Sequence, residues 1–238
     1  YHTVKTMSKE DAMKAGLYQM IGEEIDVAYM KELKKQIIHP EIIQEMAEDL
    51  KIVYTPFHGT GNKPVRRILA ELGFKHVYVV PEQERPDPAF TTLDYPNPED
   101  PKAFKLALEL ARKVDADIVL ATDPDADRLG IYAKDTKTGE YVSFTGNMSG
   151  MLIAEYILRE RTATGTMPKD PVMVSTIVTT NMAAAIAADY NVKFVEVLTG
   201  FKYIGEQIKL MEQSGKGHYV FGLEESYGCL AGTHARDK

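Results

Sequence analysis

The sequence predicts two consecutive three-layer α/β domains, each a mixed β-sheet flanked by helices. Short apolar runs alternate with helical stretches of about 10–15 residues through most of the chain, the pattern of strands and covering helices. That alternation starts afresh near Gly146, after a hairpin-like segment. The conspicuous polar loops each follow a predicted strand, where open α/β sheets carry their ligands.

The elements follow in order. To about residue 50 the chain reads as helical and polar, with a stripe of Ile25, Val27, Ala28, Met30, Leu33, Ile37 and Ile38 that His39-Pro40 should end. Ile42, Ile43, Met46 and Leu50 form a second short amphipathic turn. Lys51–Tyr54 is a strand, and the turn-rich loop Thr55–Asn62 leads to a helix over 65–72 that stops at Gly73. His76–Val80 is a strand, followed by a Pro-rich stretch from Pro81 to Pro101, long for a plain connection. A helix over 102–114 precedes a buried strand over 117–121 and the acidic loop Asp123–Arg128. Residues 129–133 and 141–144 pair as a hairpin around Lys137-Thr138-Gly139-Glu140. In the second round, helices over 148–159, 180–190 and 204–213 alternate with strands over 172–175, 192–198 and 219–221. The loops Thr199–Lys202 and Gly222–Gly228 follow the last two strands. The expected division is 1–45 as the tail of a preceding domain plus a linker helix, 46–145 as one full α/β domain, the one with the acidic loop, and 146–238 as a second, cut at its C-terminal end.

The chain has 238 residues, 44% hydrophobic and 26% charged, with a formal net charge of −7. An acidic balance speaks against nucleic acid as a partner, though not against a small anion held by local basic groups. The single cysteine, Cys229, excludes an intrachain disulfide and points to a reducing, cytoplasmic setting; beside Leu230 and Ala231 it reads as a packed side chain. No apolar run approaches the ~18 residues that span a membrane. The N-terminal Tyr1-His2-Thr3-Val4-Lys5 lacks an initiator methionine and signal-peptide form, and the chain stops at Arg236-Asp237-Lys238, so a segment of a longer protein is expected.

Asp123-Pro124-Asp125-Ala126-Asp127-Arg128 is the sharpest chemical signal. Alternating carboxylates on a tight loop can aim three oxygens at one hard cation, and without a cation they repel. Pro124 stiffens the loop, and Arg128 adds a planar donor fork suited to a phosphoryl group beside the metal. A Ca²⁺-binding EF-hand would need Gly where Arg128 stands and Glu where Lys134 stands. A phosphoaspartate phosphatase loop, or a capped acidic turn without metal, are the other readings. Gly222-Leu223-Glu224-Glu225-Ser226-Tyr227-Gly228 is a polar loop whose carboxylates and serine suit vicinal hydroxyls; alone it is also a generic polar turn. Thr199 reads as a helix N-cap, and His58 as a local hydrogen-bonding residue rather than a catalytic one.

Together these motifs resemble the α-phosphohexomutase superfamily, with its Asp-x-Asp-x-Asp-Arg metal loop and Gly-x-Glu-Glu-Ser-x-Gly sugar loop. Tyr54–Gly61 and Tyr95–Glu99 look like the branch of bacterial phosphoglucomutases and phosphopentomutases. The resemblance covers essentially the whole chain, as the family's second and third domains. It implies Mg²⁺ on Asp123, Asp125 and Asp127, Arg128 beside it, and Glu224 with Ser226 as the hydroxyl-binding pair, Glu225 being structural. It also implies that Thr199, Gly200 and Lys202 help orient the sugar phosphate, that Arg236 contacts substrate, and that Lys238 transfers protons. The substrate would be glucose 1-phosphate and 6-phosphate or a pentose phosphate, passing through a sugar bisphosphate. The family's phosphoryl-carrying serine precedes a histidine, and none of Ser8, Ser143, Ser149, Ser175, Ser214 and Ser226 does. The missing first and fourth domains of the parent would then be partners, and this chain alone would be inactive. A non-catalytic metal or sugar-phosphate-binding module and an aspartate-based phosphatase are the alternatives.

Overall fold

The computed structural model describes residues 3–238, so Tyr1 and His2 of the N-terminal reading lie outside the described residues. The chain divides after Lys35 into two units. In the first, α1 (Lys9–Lys14) starts at Ser8, whose hydroxyl accepts from the Asp11 amide, and α2 (Glu23–Lys34) follows. Both helices carry acidic residues in the first turn and lysine in the last, complementing the helix dipole.

Here the helical stripe is cut shorter than the sequence suggests. α2 ends at Lys34, and Ile37 and Ile38 lie beyond it. His39-Pro40 does not stop a helix but starts one: His39 is the N-cap and Pro40 the first residue of α3 (Pro40–Met46). Proline's fixed φ suits a first turn, where its missing N–H would have no intrahelical partner.

The second unit holds two sheets. The first has strand order β2-β1-β3-β4-β5, with β1 (Lys51–Thr55) parallel to β2 (His76–Val79) and to β3 (Ile118–Thr122). The hairpin β4 (Leu129–Lys134) and β5 (Tyr141–Phe144) adds two antiparallel strands, so the sheet is mixed, as expected. Helices α4 (Asn62–Glu71) and α5 (Lys105–Val114) flank it, and a 3₁₀ turn at Pro101–Phe104 leads into α5. Its core includes Val53, Phe57, Phe104, Val119 and Tyr132. Phe104 meets Phe57 edge-on at 5.6 Å and Tyr132 at 4.6 Å between ring centroids, within the range of favourable aromatic pairs.

The second sheet runs β7-β6-β8-β9. β6 (Pro171–Thr176) is parallel to β7 (Lys193–Val197) and β8 (His218–Leu223); β9 (Cys229–Ala231) returns antiparallel to β8. Helices α6 (Gly146–Ala163), α7 (Met182–Asp189) and α8 (Phe201–Ser214) cover it. Leu158, Met173, Ala187, Val220 and Phe221 form the core on one side, and Val174, Ile204, Ile208 and Leu230 on the other. Two details differ from the sequence reading. Gly222 and Leu223 still belong to β8, so the loop after it is shorter, and Cys229 opens a further short strand that the sequence reading did not include. Among the described residues, no helix is long and apolar enough to cross a membrane.

Candidate functional site

β3 carries the chain into the acidic loop. Its last residue, Thr122, is fixed below the loop by a buried hydroxyl–hydroxyl hydrogen bond to Tyr54 (2.8 Å). Asp123 is fully buried. Its Oδ1 accepts from the Arg128 amide (3.0 Å), its Oδ2 from Arg128 Nε (2.6 Å), and its carbonyl from the Ala126 amide (3.0 Å). Ala126 sits at φ 61°, the left-handed turn that curls the loop back on itself. Asp125 is exposed and Asp127 half-buried. One carboxylate oxygen from each of Asp123, Asp125 and Asp127 lies within 4.8 Å of the others. The sequence argument for a shared cation focus therefore has its geometry.

The electrostatics carry the same mark. Burial pushes the Asp127 carboxyl up, Lys238 draws it down, and the neighbouring Asp123 and Asp125 charges push it up again, to about 6. Three carboxylate oxygens converging with incomplete compensation form a hard, anionic donor set, which fits a hard divalent cation. Arg128 contributes less freely than the sequence suggests. Its guanidinium is committed to Asp123, with Glu99 at 3.4 Å and Asp127 at 3.7 Å. Burial alone would lower its pKa, but Asp123 outweighs that and raises it.

The loop after β8 approaches from the second sheet. Glu224 is buried, and its two oxygens are already engaged: Oε1 accepts from the Gly200 amide (2.8 Å) and Oε2 from Lys238 Nζ (2.8 Å). Glu225 is tied down by the hydroxyls of Thr176 (3.2 Å) and Thr179 (3.3 Å), which also bond each other. Those threonines stand at the carboxyl end of β6 and just beyond it. The sequence analysis did not single them out, because two threonines flanking Ile177 and Val178 carry no distinctive signal. Gly146, at the start of α6, packs so closely on the Glu225 carbonyl that a β-carbon there would collide with it. Ser226 is half-buried and Tyr227 adopts a left-handed φ of 70°. The Tyr227 carbonyl accepts from the Leu129 amide (3.0 Å), immediately after the acidic loop, so the two loops are stitched together across the sheets.

The remaining candidates divide. Phe201 and Lys202 belong to the first turn of α8, not to a loop. Thr199 is not the N-cap; Gly200 is, with φ 123° and no capping side chain of its own. The Glu224 carboxylate performs the capping from outside by accepting the Gly200 N–H, at the helix end where a negative charge is favoured. Lys202 is exposed, with Nζ 5.0 Å from the Tyr203 ring centre. Lys238 joins the site: besides Glu224, its Nζ lies 3.7 Å from Asp127 Oδ2. Burial would lower its pKa, but Glu224 first and Asp127 next raise it. Arg236 does not join. It is turned onto Glu212 of α8 (2.8 Å) and the Thr233 carbonyl (3.2 Å). His58 is buried between the Arg85 carbonyl (2.7 Å) and the Thr92 hydroxyl (2.8 Å), a local partner. Burial pushes the Cys229 thiol up to about 11, far from a nucleophile's range.

Residues 27–138 match the family model described as phosphoglucomutase/phosphomannomutase, alpha/beta/alpha domain II, and residues 145–238 match domain III. A Staphylococcus epidermidis phosphoglucomutase is 43% identical over 190 residues, covering 80% of this chain and 34% of that protein. A Staphylococcus aureus phosphoglucomutase is 36% identical over 220 residues, covering 90% and 39%. The chain thus spans little more than a third of the length of these curated relatives. In fold it is similar to the open form of a Paramecium phosphoglucomutase, parafusin (TM-score 0.63, 19% identity, 89% of this chain and 35% of that one). It is also similar to a Burkholderia thailandensis phosphoglucomutase/phosphomannomutase family protein (TM-score 0.60, 17% identity, 92% and 46%).

Proposed function

The chain belongs to the phosphoglucomutase/phosphomannomutase family, in the α-D-phosphohexomutase superfamily, and from that premise we propose that it forms the metal-holding and sugar-holding part of a phosphosugar mutase. The reaction proposed is interconversion of a sugar 1-phosphate with its 6-phosphate (glucose) or 5-phosphate (pentose), through a phosphoserine and a bisphosphorylated sugar. The observation that carries the reading is the joining of the acidic loop to the Glu224–Tyr227 loop by the Leu129–Tyr227 hydrogen bond. The proposed cation focus and the proposed hydroxyl-binding groups would thereby be held side by side. Residues 46–145 and 146–238 are the two domains proposed to carry them.

Asp123, Asp125 and Asp127 are the proposed holders of Mg²⁺. When bound, the ion would supply positive charge against the phosphoryl oxygens. Asp123 orients Arg128, which would have to loosen its 3.4 Å contact with Glu99 to meet an incoming phosphate. Glu224 and Ser226 are proposed to take the sugar hydroxyls, while Glu225 holds their loop to β6. Thr199, Gly200 and Lys202 line the neighbouring turn, where an exposed ammonium can meet the non-reacting phosphate. A proton-transfer role for Lys238 requires its pair with Glu224 to open, because an ammonium held by two carboxylates keeps its proton. Release of Glu224 to a sugar hydroxyl would do that. Arg236 would have to leave Glu212 to reach substrate.

No serine here precedes a histidine, so the chain by itself is proposed to bind and not to turn over. The test is a coupled assay with Mg²⁺ and a sugar bisphosphate primer, offering glucose 1-phosphate and ribose 1-phosphate in parallel. It compares this chain with the product of its complete reading frame. Conversion by the complete protein and not by the chain is expected. Inertness of the complete protein on both sugars refutes the mutase reading, and turnover by the chain alone refutes the account of the serine.

A further inference from the structure

The loop between β1 and α4, residues 56–61, contributes no ligand atom to the candidate metal site, yet it lies flush against the backbone of the acidic loop. The Thr60 amide and hydroxyl both donate to the Pro124 carbonyl, at 2.8 and 3.1 Å. Gly59 is packed on Pro124 so tightly that a β-carbon would stand 2.6 Å from its carbonyl oxygen and 2.8 Å from its carbonyl carbon. Those obstacles are backbone, so no side-chain rotation relieves them. Gly61 fits under the same loop: a β-carbon there would stand 2.6 Å from Thr122 Oγ1, 2.7 Å from Tyr54 OH and 3.1 Å from the Ala126 β-carbon.

The loop that presses on Pro124 is itself anchored from behind. The His58 amide donates to the Gln83 carbonyl (3.0 Å), and its ring is held by Arg85 and Thr92. The buried Thr55 hydroxyl donates to Gln83 Oε1 (2.6 Å). Phe57 and His58 take left-handed φ values of 47° and 63°, which only a tightly determined loop sustains. The long Pro-rich stretch after β2 therefore has a mechanical use: residues 83–92 brace the loop after β1, which in turn braces the acidic loop.

We propose that Gly59 and Thr60 are positioning residues that hold Asp123, Asp125 and Asp127 in their converging arrangement through Pro124. The physical requirement is close approach. Placing a methyl group at Gly59 would drive Pro124 back by roughly 1 Å to reach ordinary contact, while metal ligation tolerates only about 0.2 Å. Only the metal-affinity part of this inference rests on the metal reading of the acidic loop.

The test uses the 238-residue chain with two variants, Gly59→Ala and the milder Thr60→Val, which removes one hydrogen bond without adding bulk. The first readout, independent of any ion, is amide hydrogen exchange of Ala126 and Arg128, both bonded to Asp123 in the wild type. Exchange is expected to quicken about tenfold or more in Gly59→Ala and about three- to tenfold in Thr60→Val, with the amides of β6 and β8 unchanged. The second is Mn²⁺ affinity by electron paramagnetic resonance, expected to fall about 10- to 100-fold in Gly59→Ala, as for residues that orient ligands. Unchanged Ala126 and Arg128 exchange in both variants overturns the proposal. So does wild-type Mn²⁺ affinity in a folded Gly59→Ala. If the alanine variant fails to fold, Thr60→Val decides by exchange. If wild type binds no Mn²⁺, the metal reading falls while exchange still decides the positioning.

Discussion

Asp123 and Asp125 carry the same group on one loop, but the structure assigns them different work, and replacing each by asparagine separates the two. Asp123 is fully buried and takes both the amide and Nε of Arg128. Asp123→Asn leaves a guanidinium facing an amide, half of which is a donor. Breaking a fully buried ion pair from one side costs about 3–5 kcal/mol. Arg128 retains 26% side-chain exposure and has Glu99 and Asp127 within 4 Å, so solvent and these partners offset part of the loss. The expected loss is about 2 kcal/mol, or roughly 1 M in urea midpoint. Asp125 is exposed, so Asp125→Asn should stay within about 0.5 kcal/mol of wild type. It also removes one like charge from the cluster. Urea unfolding in EDTA keeps bound metal from masking the difference. Mn²⁺ titration then asks about ligation, and both variants should lose affinity about tenfold or more, since affinity follows ligand charge. Equal stabilities of the two variants would refute the structural role given to the Asp123–Arg128 pair. Wild-type Mn²⁺ affinity in Asp125→Asn would remove Asp125 from the ligand set.

Three further outcomes are expected. Phe104→Ala should destabilise the first sheet by about 3–5 kcal/mol, because the ring is fully buried between Phe57 and Tyr132; coincident loss of both sheets at the wild-type midpoint would contradict it. His39, bonded to Glu41 at 2.7 Å and Glu160 at 2.9 Å, has its pKa raised above 6.5 by those two carboxylates, Glu41 first. Its stabilisation is therefore present below 6.5 and lost as pH rises through the folded value; in an NMR titration Glu160→Gln should bring the midpoint down, and an unmoved midpoint would break the assignment. Cys229 should resist thiol reagents in native protein at pH 8 and react on unfolding, since burial pushes its thiol up to about 11; stoichiometric native labelling within seconds would show the thiol to be open.

Much of this architecture is written locally. The runs Lys51–Tyr54, His76–Val80 and Val172–Ser175 read as strands because they are short, apolar and bounded by turn residues, and they are strands. The hairpin about Gly139 was legible for the same reason. Failures occurred where apolar character continues through a change of partner. Ile37 and Ile38 extend the helical spacing of α2 but lie outside it, and Ile38 packs on the core of the second sheet. Leu223 sits within a polar motif yet is buried as the last residue of β8.

For the site, the sequence by itself singled out the acidic triad, three carboxylates alternating on a tight loop, and the structure brings one oxygen of each within 4.8 Å of the others. The sequence also singled out the Glu224–Tyr227 loop, since both motifs are contiguous and their residue types state their chemistry. Only the tertiary structure decided how each group is spent. It set Arg128 on Asp123, Arg236 on Glu212, and Lys238 between Glu224 and Asp127, pairings made across 5, 24, 14 and 111 positions of chain. It made Glu224 the external cap of α8 and gave the loop between β1 and α4 its hold on Pro124. Chemical type is a property of a residue and travels with the sequence. A partner is a property of distance, and distance between segments is fixed only when sheets and helices pack.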